Sequence, residues 1–351
     1  RNSKLLQQIA IFGLETNELD VADKWIKAAD SYANGLDPQI RHTFAEFAYK
    51  RSEQARLIGE KRQYLQQAIK ICDELLKNSR NSSPHPFHTI LKCNLYNIEL
   101  ALEGNDDATV ERSIKEFDRR LAIAKQIYPY QDFILSAEAK FNQLFDNKPA
   151  ALELMEKAHD VNPSSPFIVS RLVALLRETK QFDKIGRIIE KSLKNLPGDR
   201  ELNLLYAEFL IKTKPTDYDL ISHHLNRSYT DNDNRHYAQY LHAKTLYLSG
   251  NKEAASGKFK KLWQLSIDPA IKNRVYDFVE VNGEKLEFTG VVKDFYYNHG
   301  WLLRDKLNDE LFFHSSGVDE IFKLTSNTRV KFSLGFTYGG PIAFNIKVIN
   351  K

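Results

Sequence analysis

Hydrophobic residues recur every three or four positions along most of the chain, which is the spacing of an amphipathic helix. One such stripe consists of Leu91, Leu95, Ile98 and Leu102. A second stripe begins at Val110, after a polar turn at residues 104–106. Two stripes joined by a short turn predict two antiparallel helices. From about Leu286 the spacing changes to alternation, as in residues 330–334, and alternation predicts β-strands.

Between residues 132 and 197 the helical pattern repeats with a fixed step. Pro163 is followed by Pro197, thirty-four residues later. The same step links Ala139 with Val173, Ala151 with Ile185, and Ala158 with Ser192. Mostly small residues at such positions let two helix axes approach closely. The same spacing recurs, to within one or two residues, between Ala243 and Leu262. A paired-helix unit of this length, closed by a proline, resembles the tetratricopeptide repeat.

This resemblance implies a mainly α protein, with a tetratricopeptide-like α-solenoid over residues 1–281. Such a scaffold is expected to bind a protein partner, or an upstream domain of the same protein, rather than to catalyse a reaction. Similar arrays often form the C-terminal sensing half of large bacterial signalling ATPases, including antiviral ones. Because the sequence begins at Arg1 and its only methionine is Met155, we expect an upstream part.

Three blocks near the C-terminus carry a second resemblance. They are GVVKDFYYNHGWLL at residues 290–303, LFFHSS at 311–316 and GGPIAFNIKVI at 339–349. In order and spacing they resemble the signature blocks of the cold shock domain. That family is a five-stranded OB-type barrel that binds single-stranded RNA and DNA by stacking bases on aromatic side chains. The resemblance implies a small β-barrel over residues 286–351.

The cold shock resemblance also implies a nucleic-acid site on the barrel. Trp301 and Phe312 match base-stacking aromatic positions, and His314 matches the stacking histidine of the second motif. Lys293 matches a lysine beside the bases, and Phe295 matches an aromatic residue near the same face. These five residues are the predicted site.

Charge weakens the expected interaction with nucleic acid. The whole chain has a formal net charge of only +4. Residues 286–351 contain eight lysines or arginines against seven aspartates or glutamates, and Asp294 stands where the family carries tryptophan. Without a strong basic field, binding should be weak and only mildly salt-dependent.

Composition indicates about two domains and a reducing compartment. The chain has 351 residues, of which 42% are hydrophobic and 27% charged, as in ordinary globular proteins. Its two cysteines, Cys72 and Cys93, fall in helical patterns without a disulfide framework. No apolar run is long enough to span a bilayer, and no signal-peptide core is present. We therefore expect a cytoplasmic protein without a membrane partner.

Evidence for catalysis is confined to one short motif. Arg80, Asn81 and His85 form R-N-x-x-x-H, which resembles the signature of HEPN ribonucleases, where arginine steadies phosphate and histidine acts in acid–base cleavage. Residues 78–86 read as an exposed loop, and Pro84 should break a helix there. We expect no enzyme activity from this motif.

Other motifs for cofactors or metals are missing from the sequence. It contains no glycine-rich phosphate loop, G-x-S-x-G elbow, H-E-x-x-H or paired C-x-x-C motif. The neighbouring histidines His223, His224, His236 and His242 lack metal-ligand spacing and are expected to be solvated or in the core. We therefore predict no cofactor and no metal.

The favoured function is a non-catalytic adaptor or sensor segment that binds protein through the repeats and single-stranded nucleic acid weakly through the barrel. One alternative is a pure protein-interaction scaffold whose barrel binds no nucleic acid. A third is a ribonuclease that uses Arg80 and His85. The sequence does not identify the partner, the choice between RNA and DNA, or the oligomeric state.

Overall fold

The computed structural model describes residues 2–78, 83–230, 233–272, 274, 276–281, 284–307, 309–319 and 321–349. The chain forms two compact units, Arg1–Asn195 and Leu196–Lys351. Over its described residues the first unit contains helices and no strands, whereas the second combines helices with β-sheet.

The helices of the first unit pack as consecutive pairs. α1 packs on α2, α3 on α4, α5 on α6, α7 on α8 and α9 on α10. Because short turns join the two members of each pair, the pairs are antiparallel hairpins. The helices are α1 (Asn2–Glu15), α2 (Leu19–Tyr32), α3 (Pro38–Gln54), α4 (Ile58–Asn78), α5 (His85–Glu103), α6 (Asp107–Ile127), α7 (Asp132–Leu144), α8 (Lys148–Val161), α9 (Pro166–Glu178) and α10 (Phe182–Asn195).

A residue with left-handed backbone conformation follows the first helix of several hairpins. The φ angle is 62° at Asn17, 52° at Asn105, 56° at Asp146 and 59° at Lys180. This conformation stops a helix and turns the chain, and asparagine adopts it more easily than most residues. Asp146 and Lys180 are again one repeat step apart, so the turn follows the same register as the helices.

The small residues of the predicted repeat lie where the paired helices pack. Ala139 of α7 and Ala151 of α8 are buried, as are Ala158 and Val173. Ser192 is also fully buried, and its hydroxyl donates to the carbonyl oxygen of Ile188 at 3.1 Å. The predicted tetratricopeptide-like solenoid is therefore confirmed as a fold.

The second unit contains two further helical hairpins and a β-barrel. α11 packs on α12, and α13 packs on α14. Its elements are α11 (Arg200–Thr213), α12 (Tyr218–Arg227), α13 (His236–Leu248), α14 (Lys252–Gln264), α15 (Pro269–Lys272), β1 (Asp277–Phe278), β2 (Glu280–Val281), β3 (Glu284–Lys285), β4 (Glu287–Phe295), β5 (His299–Arg304), β6 (Glu310–His314), β7 (Arg329–Thr337) and β8 (Gly340–Val348).

Five strands of the second unit close into a barrel. Their order is β7-β4-β5-β6-β8, and β8 also pairs with β7. β6 and β8 run parallel, with Phe312 opposite Ile342, whereas the other barrel pairs are antiparallel. Alternate residues fill the interior, including the fully buried Leu302, Leu311 and Phe313. The predicted five-stranded barrel is confirmed.

Strand β1 connects the barrel to the preceding helices. Asp277 pairs with Phe336 of β7. Its carboxylate accepts hydrogen bonds from Tyr240 at 3.1 Å and from Lys244 at 2.6 Å, both on α13. The barrel therefore packs on the last helical hairpin within one compact unit.

The change from helix to strand comes earlier than the sequence predicted. We expected helices to continue to about Glu280, but α15 ends at Lys272 and β1 begins at Asp277. The free edge of β7 accounts for the difference, because it accepts backbone hydrogen bonds from Tyr276 and Val279 at 2.9 Å. The predicted domain boundary between residues 281 and 286 stays a prediction, and the compact units divide the chain at Asn195.

The segment around Pro84 also differs from the predicted loop. His85 is the first residue of α5, and Pro86 lies in its first turn. Proline is tolerated there because the first backbone N–H groups of a helix have no partner within the helix. Pro84 therefore precedes the helix rather than breaking it, and Arg80 and Asn81 lie outside the described residues.

Candidate nucleic-acid interface

Strands β5 and β6 present aromatic side chains on the outside of the barrel. Along β5, Gly300 and Leu302 are buried while Trp301, between them, is exposed. Along β6, Phe313 is buried and Phe312 is half-buried. This alternation is the two-residue period of a strand. Trp301 and Phe312 are directly opposite each other in the pairing of the two strands, so they share the outer face.

Four rings form one continuous group, which we call the aromatic surface: Tyr296, His299, Trp301 and Phe312. The ring centroids of Trp301 and Phe312 are 5.3 Å apart at an interplanar angle of 73°. His299 lies 5.8 Å from Phe312 and 5.2 Å from Tyr296, with nearly parallel rings. The Trp301 side chain remains 38% exposed. Exposed, adjacent π-faces can stack with the bases of a single strand.

Gly300 permits the close packing beneath this surface. A Cβ atom at Gly300 would lie 2.4 Å from the Phe313 ring and 2.5 Å from the carbonyl oxygen of Asp294. Any side chain there would push β5 away from β4 or displace Phe313. Gly300 thus keeps Trp301 on a flat, well-packed strand.

A β-bulge in β4 determines which residues lie beside Trp301. The register shifts between Val292 and Asp294, so that Asp294 is opposite Trp301 and Phe295 is opposite Gly300. Opposite residues share a face of the sheet. The bulge therefore places Asp294 beside Trp301, and the predicted site residue Phe295 does not lie there.

The remaining predicted residues occupy different surroundings. Phe295 stacks on the buried Phe313, with centroids 6.0 Å apart. Lys293 donates to Glu310 at 2.5 Å, and this hydrogen bond raises the pKa of the lysine. His314 is exposed at the end of β6, opposite His299. The structure thus joins Trp301, Phe312 and His314 across β5 and β6, whereas Phe295 faces the barrel interior.

The ring of His314 has a defined orientation. Its Nδ1 accepts a hydrogen bond from the backbone N–H of Ser316 at 3.2 Å. The neutral ring therefore carries its proton on Nε2, which can donate to a base or a phosphate.

Sequence reasoning left two aromatic neighbours out of the site. Tyr296 belongs to the aromatic surface, and Tyr297 in the same β4–β5 turn is 97% exposed. The available signal was the run Tyr296–Tyr297 beside a strand end, because tyrosines in a polar turn have no core to fill.

Ion pairs neutralise much of the positive charge on the barrel. Lys293 pairs with Glu310, Arg329 pairs with Asp305 at 2.8 Å, and further pairs lie elsewhere on its surface. These further pairs are Lys331–Glu287 and Lys347–Asp319. The barrel therefore offers stacking surfaces with little net positive field.

Comparison with known structures finds similarity to tetratricopeptide-repeat proteins. No protein-family model and no curated protein sequence matches the chain. The chain is similar to a tetratricopeptide-repeat protein of Thermus thermophilus, with 15% identity, a TM-score of 0.47, and coverage of 60% of this chain and 99% of that chain. It is also similar to pilF of Pseudomonas aeruginosa, with 14% identity, a TM-score of 0.43, and coverage of 64% of this chain and 91% of that chain. A third similar structure is a tetratricopeptide-repeat protein of Parabacteroides merdae, with 14% identity, a TM-score of 0.35, and coverage of 77% of this chain and 95% of that chain.

The part of the chain that the structure describes contains neither a membrane-spanning helix nor a metal-binding cluster. There, no helix is both long and apolar enough to cross a membrane. The same residues contain no group of three or more histidine, cysteine, aspartate or glutamate side chains arranged to hold a metal ion.

Proposed function

We propose that the barrel binds single-stranded nucleic acid on its aromatic surface. The observation that supports this most directly is the placement of Trp301 and Phe312 opposite each other on the outer face of two adjacent strands. His314 adds a hydrogen-bond donor beside them. Bases with exposed π-faces can stack on such side chains regardless of sequence.

The barrel topology supports the cold shock resemblance on which this proposal draws. The first sequence block spans β4 and β5, the second contains most of β6, and the third covers β8. β4, β5 and β6 form an antiparallel meander, β6 pairs in parallel with β8, and β7 closes the barrel by pairing with β8 and β4. OB-type barrels bind single strands on the corresponding strands two and three.

The proposed binding is weak. Stacking contributes roughly 1 to 3 kcal/mol per base, so two bases on Trp301 and Phe312 would provide about 2 to 6 kcal/mol. Micromolar affinity requires about 8 kcal/mol. Asp294 lies beside Trp301, and Glu310 pairs with Lys293. Attraction between the barrel and the phosphates therefore adds little binding free energy to that of stacking.

Titration of a fluorescent single-stranded oligonucleotide into the full chain tests the proposal. Trp301→Ala combined with Phe312→Ala should abolish the anisotropy increase, whereas Tyr130→Ala, which removes an exposed ring from the helical unit, should not. Circular dichroism would verify that each variant is folded. Equal binding by the double variant and the parent would refute nucleic-acid binding by the barrel and favour the pure scaffold.

We also propose that the helical repeats hold a protein partner. A cavity of about 520 Å³ lies in the second unit, within the size range of ligand sites. Its apolar lining comes from Leu204, Tyr237, Ala238, Ile267, Ile271 and Tyr338. Glu201 and Arg235 also line it and form an ion pair at 3.3 Å. Such a cavity fits apolar side chains of an extended peptide.

Peptide arrays test the partner proposal. Peptides rich in apolar and aromatic side chains should bind the parent and lose binding to Tyr237→Asp. Tyr130→Asp makes the same change at an exposed ring elsewhere and should leave binding intact. Equal binding of the peptides to the parent and to Tyr237→Asp would exclude this cavity as the peptide-binding site.

We propose that this chain does not cleave RNA. His85 is exposed at the start of α5, and its ring lies 6.0 Å from His42 and 5.9 Å from Phe133. Incubation with labelled RNA should give no products. Cleavage that His85→Ala removes would instead support the ribonuclease alternative.

A further inference from the structure

Strand β8 connects the aromatic surface to helix α14. At one point β8 is paired with β6, where Ile342 is opposite Phe312. At its beginning, the turn of Gly339 and Gly340 packs against α14, since a Cβ atom on Gly339 would lie 3.1 Å from the ring of Trp263. Gly339 and Ile342 are three residues apart, or about 10 Å along a strand. Trp263 therefore lies close to the edge of the aromatic surface.

Trp263 differs from its neighbours on α14 in its exposure. Phe259 and Leu262 are buried in the packing of the helix, but the Trp263 side chain is 50% exposed. Its contact with Gly339 holds one part of the indole ring in place. The ring is thus both fixed and accessible, as a base-stacking side chain must be.

Two lysines, Lys260 and Lys272, are neighbours of Trp263. The ammonium group of Lys272 lies 5.5 Å from the ring centroid and donates to the carbonyl oxygen of Trp263 at 2.6 Å. Lys260 is exposed one helical turn before Trp263, and residues three apart are neighbours on a helix surface. This positive charge contrasts with the paired charges on the barrel and is suited to binding phosphates.

We propose that a single strand bound on the aromatic surface continues across β8 onto α14, where Trp263 stacks a further base and Lys260 and Lys272 contact its phosphates. The inference rests on the proposed nucleic-acid function of the barrel. The separation of about 10 Å corresponds to about three stacked nucleotides at 3.4 Å each. A short oligonucleotide would therefore occupy the barrel alone, and a longer one would also reach α14.

The experiment compares oligonucleotides of about 3 and about 10 nucleotides. The shorter one has two stacking steps, about 7 Å, and does not reach from Phe312 to Trp263, whereas the longer one lies within the site sizes of OB-type domains. Trp263→Ala should weaken binding of the longer one about tenfold and leave the shorter one unchanged. Trp263→Phe keeps an aromatic ring and should restore most of the affinity. Phe167→Ala is the matched control, because Phe167 is also an exposed ring with a cation over it, Arg171 at 5.0 Å.

Salt dependence provides a second readout. Replacing Lys260 and Lys272 by alanine should lower the slope of log K against log salt by about 0.7 for each phosphate that the protein no longer neutralises. This change should be seen only with the longer oligonucleotide. An unchanged slope would contradict the binding of phosphates by these lysines.

The outcomes separate this inference from the proposed function. If Trp301→Ala with Phe312→Ala abolishes binding but Trp263→Ala leaves the longer oligonucleotide unaffected, the path onto α14 is wrong and the barrel site stands. If Trp263→Ala weakens binding of both oligonucleotides equally, the path onto α14 is also wrong, because Trp263 would then act through the packing of β8. If the double variant binds both oligonucleotides like the parent, the proposed function and this extension both fail.

Discussion

At the scale of single residues, the charge beside the aromatic surface is set by one ion pair. Glu310 accepts from Lys293 at 2.5 Å, and both side chains remain largely exposed. The carboxylate keeps the lysine from acting as a free cation toward phosphate. Removing the carboxylate should therefore make the lysine available.

We predict that Glu310→Gln tightens binding of a single-stranded oligonucleotide severalfold. The slope of log K against log salt should become steeper by about 0.7, as expected for one additional phosphate contact. Because the pair is exposed, thermal stability should change little. Glu287→Gln is the control, since it makes the same charge change at the Lys331 pair. If both variants bind equally, net charge alone accounts for the effect and Lys293 is not part of the site.

A second ion pair has the opposite character because it is buried. Arg304 is 6% exposed, and its guanidinium donates to both carboxylate oxygens of Asp309 at 2.9 and 2.6 Å. Tyr247 of α13 also donates to Asp309. The pair thus stabilises the contact between the barrel and the last hairpin.

We predict that Asp309→Ala lowers the free energy of unfolding of the second unit by about 3 kcal/mol, because it leaves the Arg304 charge buried without its partner. Burial would raise the pKa of Asp309, but hydrogen bonds from Arg304 and Tyr247 outweigh burial and lower it. The stabilisation is therefore present at neutral pH and lost as pH falls below about 4. Urea unfolding measures the destabilisation; Glu310→Gln, at an exposed pair, should differ little from the parent.

At the scale of elements, one histidine connects helices α12, α13 and α14 of the second unit. His242 of α13 is buried; its Nε2 is 2.9 Å from Ser222 of α12, and its Nδ1 is 2.7 Å from the Tyr229 hydroxyl. Lys258 of α14 donates to the same hydroxyl at 2.6 Å. This histidine is in the core, which is one of the two surroundings, solvent or core, that the sequence predicted for its group.

Burial, and then the charge of Lys258, lower the pKa of His242 to about 4. An unfolded histidine titrates near 6.5, so between pH 6.5 and 4 the unfolded state binds more protons than the folded state. We predict that the second unit loses stability as pH falls through this window. Thermal unfolding at pH 7.5 and pH 5 measures the change.

Variants identify the group responsible for the pH dependence. Burial also lowers the pKa of His224 in the same unit to about 4, so His242→Gln removes one of two such rings and should reduce the dependence of the melting temperature on pH. His314→Gln removes an exposed histidine at the end of β6 and should leave the dependence as in the parent. A pH dependence as large in His242→Gln as in the parent would assign the effect to other groups.

At the scale of the whole molecule, the barrel belongs to a larger compact unit. Residues 196–351 include two helical hairpins and the barrel. β1 adds to the barrel sheet, and Asp277 and Arg304 make polar contacts to α13. A barrel without these helices loses that packing.

We predict that a fragment of residues 196–351 folds cooperatively and that a fragment of residues 286–351 melts at a clearly lower temperature. The shorter fragment exposes the apolar side chains that pack on α13 and α14 and leaves Arg304 without Tyr247. Circular dichroism melts of both fragments and the full chain give the comparison. Equal melting temperatures for the two fragments would show that the barrel is independent.

The sequence by itself determined the repeat and the strands, because both depend on local periodicity, and the resemblance of three blocks to the cold shock domain implied the barrel. The thirty-four residue step placed small residues such as Ala139 and Ala151 at helix packing positions. Alternation in β5 and β6 likewise places Trp301 and Phe312 on one face, since side chains on a strand alternate by geometry.

Only the tertiary structure decided the surroundings of those residues. The bulge that brings Asp294 beside Trp301, the Lys293–Glu310 pair and the contact of Trp263 with Gly339 each join positions far apart in sequence or depend on strand register. Likewise, the segment at Asp277 became a strand because the edge of β7 offered backbone partners. Periodicity specifies which face a side chain occupies, but the charge and contacts on that face depend on which strand or helix packs beside it.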